Sequence, residues 1–115
     1  FDYLNNIIHP QVAIEFNKWL NQQKTKYIIK ESAILLETNT YKKLDKIILI
    51  KAPLKLRIQR VCKRDKRSVQ EVKKIISNQL KDAEASKYAD YVINNNEKEL
   101  LLPQIIKLHK ILSRL

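Results

Sequence analysis

Short apolar runs separated by amphipathic stretches set the rhythm of this chain. Val12, Phe16, Trp19 and Leu20 recur at helical spacing, and the spacing predicts an amphipathic helix over 10–23. His9-Pro10 stands where that helix is expected to begin, because proline suits a first helical turn. YIIKESAI (27–34), KIILIKA (46–52) and YVINN (91–95) read as three strands. Such nearly continuous apolar runs suit strands covered on both faces of a parallel sheet. Between the last two, Pro53 opens a helix expected over 53–64, with Leu54, Ile58 and Val61 as its apolar stripe. Ser68-Val69-Gln70-Glu71 has the form of a capping box and starts a second helix over 68–79, with Val72, Ile75 and Ile76 inward. A short helical piece is expected over 82–88. Leu101, Ile105, Leu108, Leu112 and Leu115 mark a last helix, with Pro103 at its start or kinking it. The alternation of strands and helices predicts an α/β fold with a parallel sheet and flanking helices.

Composition narrows the picture. The 115 residues include no Gly and no Met, and the chain opens on Phe1. A piece of a longer protein is therefore expected, since tight turns are rarely all built without glycine. With 44% hydrophobic residues the chain buries a core and is not a disordered tail. The net charge of +11 attracts anions: nucleic acid, an acidic membrane or a phosphorylated small molecule. Most of it is lysine scattered along the chain, the pattern of a solvated surface rather than of a clustered nucleic-acid footprint. The lone Cys62 excludes an internal disulfide and fits a reducing compartment, so a cytoplasmic protein is expected. No apolar run approaches the ~20 residues of a membrane span.

The residues that carry candidate chemistry are few. In R-I-Q-R-V-C-K-R-D (57–65), Arg57, Arg60 and Arg64 fall within about 60° of one helix face, at about 100° per residue. Three of the five arginines thus lie within eight positions. Guanidiniums bind phosphate bidentately and keep their charge, which suits such a stripe to a phosphate site. The alternative is a solvated basic face with a salt bridge, for example from Arg64 to Asp65 or Glu71. Glu31 and Glu37 flank the carboxyl end of the first expected strand, where ligands of open α/β sheets bind. Their alternatives are a strand-end residue facing a cation and a helix N-terminal charge. His9 reads equally as a capping or packing residue. Asn94, Asn95 and Asn96 follow the third strand, either as turn and N-cap with Glu99 or as base-recognition groups at the sheet edge. Trp19, Cys62 and His109 read as packing or surface residues. There is no HExxH, no Cys/His zinc spacing and no G-x-S-x-G.

Taken in order, five segments resemble the dephospho-CoA kinase family over essentially the whole chain. I-I-H-P (7–10) is similar to that family's HP segment, and E-S-A-I-L-L-E (31–37) to its D-x-P-L-L-F-E segment. Ala52-Pro53 followed by R-I-Q-R-V-x-x-R-D resembles its lid region. Asn78-Gln79 and A-D-Y-V-I-N-N (89–95) resemble its closing motifs. Glu31, Ala33 and Leu36 depart from the family's Asp, Pro and Phe.

The resemblance implies a P-loop-kinase-like parallel sheet, of which this chain carries the C-terminal three strands. It implies the C-terminal portion of a single kinase domain with a lid-like helical region around 53–79. The implied activity is ATP- and Mg²⁺-dependent phosphorylation of the ribose 3′-hydroxyl of dephospho-CoA, the last step of coenzyme A biosynthesis, with no nucleic acid or membrane as partner. Implied roles are substrate contacts for His9, Glu31, Glu37 and Arg57, catalytic phosphate contacts for Arg60 and Arg64, and a nucleotide contact for Asn95, with no metal ligand. The family's G-x-x-x-x-G-K-S/T phosphate loop has no counterpart here, because a Gly-free chain does not supply it. A piece inactive on its own is therefore expected. The competing reading is a basic nucleic-acid-binding module, which needs its cations spread along one continuous face. A third is a structural domain without catalysis, which holds if the gene lacks the upstream half.

Overall fold

The computed structural model describes residues 2–115, with side chains described from residue 9 onward. It divides into two compact units, residues 1–30 and 31–115.

The first unit is dominated by helix α1 (Asp2–Asn21). Pro10 lies inside this helix rather than at its start. Proline removes one i→i−4 bond. Along the expected apolar stripe the Phe16 and Trp19 rings stand 5.9 Å apart, and Lys30 Nζ sits 4.6 Å from the centre of the Phe16 ring.

The expected strand over 27–34 is not formed. Residues 27–32 carry neither ladder nor helix, residues 33–39 are turns, and Ile29 is 67% exposed. A strand exists only through a partner, and among the described residues no segment pairs with this one. Thr38 turns the chain instead. Its N–H and its hydroxyl both donate to the Ile34 carbonyl, at 3.2 and 2.9 Å.

The second unit holds the sheet. Strand β1 (Ile48–Lys51) pairs in parallel with β2 (Tyr91–Asn94), in the register Ile48 with Tyr91 through Lys51 with Asn94. The sheet therefore has two strands among the described residues, not three. Asp90 clamps its entrance, donating its N–H to the Ile47 carbonyl (2.9 Å) and accepting the Ile47 N–H on Oδ2 (2.8 Å).

A short 3-10 helix (Thr40–Lys43) precedes β1, and its Tyr41 ring meets Tyr88 edge-on at 5.2 Å. Between the strands run α2 (Leu54–Asp65), α3 (Val69–Ser77) and the single turn α4 (Asp82–Ala85). Helix α5 (Leu101–Leu112) follows β2.

The expected boundaries hold to within a few residues. Ser68 caps α3 by accepting the Glu71 N–H on its hydroxyl at 3.2 Å. Such a cap contributes about 1 kcal/mol. Pro103 sits in the first turn of α5, where its missing N–H costs no helical bond. Asn96 does not cap that helix. Its Oδ1 accepts the N–H groups of Lys98 and Glu99, both at 3.0 Å, and so closes a turn ahead of it. The helix begins only at Leu101, too far along for Asn96 to reach its N–H groups.

Each α-helix of the second unit contributes one buried hydrophobic side chain, Ile58, Val72, Ala85 and Leu108, and Val72 is the most deeply enclosed of them. The rest of the apolar surface is partly open, including Ile50 of β1 and Val92 of β2. No helix among the described residues is long and apolar enough to cross a membrane.

Candidate active site

The carboxyl ends of β1 and β2 place Lys51 and Asn94 side by side. The chain leaving β1 turns at Pro53 into α2, so the arginine stripe of that helix starts beside the edge where β2 ends. Asn95 continues the ladder by one bond, donating its N–H to the Lys51 carbonyl at 2.7 Å. Its own carbonyl accepts Nη1 of Arg60 at 3.1 Å, and Nη2 of Arg60 reaches Glu97 Oε1 at 3.4 Å. Arg60 and Asn95, expected from sequence to belong to one site, therefore touch. Glu97 holds a left-handed backbone, φ 66°, a conformation that ordinarily favours glycine or asparagine.

The other two arginines of the stripe diverge from this point. Arg57 is half-buried, lies 3.9 Å from Asp82 at the start of α4, and keeps its Nε buried without a hydrogen-bond partner. Arg64 lies on the exposed last turn of α2 and grips Asp65 through Nε (2.8 Å) and Nη2 (3.0 Å). Three carboxylates thus separate three guanidiniums, which relieves the repulsion of the bare stripe and holds each head group in a set direction.

The hydrogen bond from Arg64 holds the Asp65 carboxyl below its usual range, and the charges of Arg64 and Arg67 act in the same direction. The same bond raises the Arg64 guanidinium. A depressed carboxylate contributes its stabilisation above the unfolded value and loses it as pH falls through the folded one. A carbon-detected NMR titration should therefore show Asp65 titrating below the ordinary ~3.9. Arg64→Ala should move the midpoint upward, and an unmoved midpoint would show that the pair does not form in solution.

Glu37, in the turn after 33, accepts the Leu80 N–H on Oε1 at 2.8 Å, just past the end of α3. It thus ties the returning end of the α2–α3 pair to the 31–39 segment. Glu31 lies in the irregular stretch that opens the second unit, and His9 is exposed on α1 of the first.

Sequence reading missed three contributors: Asp82, Glu97 and Gln104. Gln104 Oε1 accepts the Asn94 N–H at 2.8 Å, and its Nε2 donates to the carbonyls of Asn94 (3.0 Å) and Leu100 (2.9 Å). An amide one turn into a helix looks like ordinary surface polarity in sequence, and only the fold reveals what it faces. The described residues contain no group of three His, Cys, Asp or Glu that could hold a metal ion.

A family model for dephospho-CoA kinase matches residues 2–100. The chain belongs to the dephospho-CoA kinase family. The dephospho-CoA kinase of Bacteroides fragilis (strain YCH46) is 38% identical over 106 residues, which covers 91% of this chain and 52% of that protein. That of Fusobacterium nucleatum is 42% identical over 94 residues, covering 81% and 48%. The chain thus spans about half the length of the curated dephospho-CoA kinases it matches. Among solved structures, the crystal structure of TT1252 from Thermus thermophilus superposes with a TM-score of 0.89 at 25% identity, over 96% of this chain and 58% of that one. The likeness supports a parallel α/β sheet with flanking helices as part of a larger fold.

Proposed function

We propose that this chain is the C-terminal portion of a single kinase domain that phosphorylates dephospho-CoA. The ribose 3′-hydroxyl gives up its proton as its oxygen bonds to the γ-phosphorus of ATP, the bond from that phosphorus to the β–γ bridging oxygen breaks, and ADP and the proton leave. The convergence of Arg60 and Asn95 at the carboxyl edge carries the reading, because it joins an expected phosphate contact to an expected nucleotide contact. The family to which the chain belongs names the substrate.

In this reading α2 and α3 form the lid over 53–79. Arg60 and Arg64 meet charge that develops on the transferred phosphoryl group, exchanging Glu97 and Asp65 for phosphate oxygens. Arg57, Glu31, Glu37 and His9 serve the dephospho-CoA side, and Asn95 the nucleotide. The glycine-rich phosphate loop belongs to an upstream half of the same protein. Mg²⁺ ordinarily rides on the nucleotide phosphates with one or two carboxylates. Among the described residues no group of three His, Cys, Asp or Glu could hold it. The enzyme works in the cytoplasm.

The test is the whole protein, expressed from its gene and assayed with ATP, Mg²⁺ and dephospho-CoA. Stoichiometric ADP and a 3′-phosphorylated product are expected. No product, or no G-x-x-x-x-G-K-S/T upstream of Phe1, would remove this reading.

A further inference from the structure

At its carboxyl end, β2 has Asn94 paired with Lys51 of β1 on one side. The other edge of Asn94 is met not by a strand but by one side chain. Gln104 accepts the Asn94 N–H and donates to the Asn94 carbonyl, which is the two-point pairing a neighbouring strand would supply. Its second amide hydrogen goes to the Leu100 carbonyl. One side chain therefore holds both ends of the 95–100 loop. The middle of that loop is closed by Asn96 onto the N–H groups of Lys98 and Glu99, around the left-handed Glu97. Its outer face is tied to α2 through Arg60.

We infer that Gln104 is a positioning residue that fixes the Asn95 side-chain amide and thereby sets the preference for adenine over guanine. The inference rests on the reading of Asn95 as the nucleotide contact. Both backbone groups of Asn95 are committed within the protein, its N–H to Lys51 and its carbonyl to Arg60. Base recognition then falls to its side chain. A carboxamide offers one acceptor and one donor group, which match the amino group and ring nitrogen of adenine. Turned over, the same amide matches the carbonyl and ring N–H of guanine. The residue type alone does not choose between the bases; the backbone that orients it does. Gln104 fixes that backbone on the side that Lys51 and Arg60 do not reach.

The test uses the whole protein and the variants Gln104→Met, which keeps length and bulk without hydrogen bonds, and Gln104→Glu, which keeps the acceptor and loses both donors. ATP and GTP binding are measured by calorimetry, and amide hydrogen exchange is followed over 94–100. Gln104→Met is expected to speed exchange in the loop and to weaken ATP about tenfold, the scale of one or two lost neutral hydrogen bonds. GTP should weaken little, so that ATP/GTP discrimination falls, and KM for dephospho-CoA should stay unchanged. Gln104→Glu should fall between wild type and Gln104→Met.

Unchanged exchange over 94–100, equal weakening of ATP and GTP, or failure of both variants to fold would each overturn the positioning role. Failure of the functional reading looks different. A wild-type protein that binds ATP but phosphorylates another acceptor removes the assigned activity and leaves the binding results to decide on Gln104. One that binds no ATP removes both.

Discussion

Arg60→Ala in the whole protein is expected to lower kcat/KM by roughly 10²–10³-fold, the usual loss when a charge aimed at a transition state is removed. The structure supplies the reason for choosing this residue first. Its guanidinium lies at the carboxyl edge of the sheet, with one nitrogen on Asn95 and another near Glu97. Both contacts are replaceable by water, so the melting temperature should fall by no more than a few degrees. Arg60→Lys should recover only part of the activity, because an ammonium does not reproduce the fork.

Arg64→Ala belongs in the same assay. Its side chain is 73% exposed and, among the described residues, bound to Asp65, so a fall in kcat/KM of similar size without a change in melting temperature marks a lid arginine that swings in during turnover. Arg67→Ala, beyond the end of α2, is the control and should match wild type. Full activity in Arg60→Ala and Arg64→Ala, or loss only through unfolding, would reduce the stripe to a charged surface.

The 115-residue chain alone is expected to show no turnover above background with ATP, Mg²⁺ and dephospho-CoA, measured beside the whole protein. Two physical deficits lead there. Without glycine the chain builds no loop whose backbone amides close around phosphates. The four buried hydrophobic side chains and two-strand sheet among its described residues are also a thin frame for holding reacting groups in place. Ile50 and Val92 are 63% and 43% exposed, apolar surface that a larger fold would cover. Turnover comparable with the whole protein would show that these residues carry a complete site, contrary to the assignment of the phosphate loop to an upstream half.

What was legible in the sequence was whatever a short window decides. Ser68 announced the start of α3 because a cap acts over three residues, and KIILIK announced β1 because its β-branched run has no helical stripe. The spacing of Arg57, Arg60 and Arg64 placed them on one helix, and the closing motif placed Asn95 at the strand end. What was illegible depended on distant partners. YIIK has the composition of a strand, yet among the described residues no segment pairs with it. Pro10 read as a helix start because the stripe lay after it, whereas α1 runs through it. Asn96 closes a turn rather than a helix because the choice depends on which N–H groups fall within reach. The same holds for the site: the arginines were visible, but Asp82, Glu97 and Gln104, which direct them or the loop they touch, were not.

The parallel pairing of β1 and β2 also constrains the order in which this chain organises itself. The clamp between Ile47 and Asp90 joins residues 43 positions apart, as does the bond from Leu80 to Glu37. A ladder closed over so long a stretch gives back little until the loop entropy has been met. The intervening α2, α3 and α4 shorten that loop by packing locally first. Ser68, by starting α3, is therefore expected to act on the speed of sheet formation, with the edge that carries Asn95 expected among the last parts of the fold to take shape.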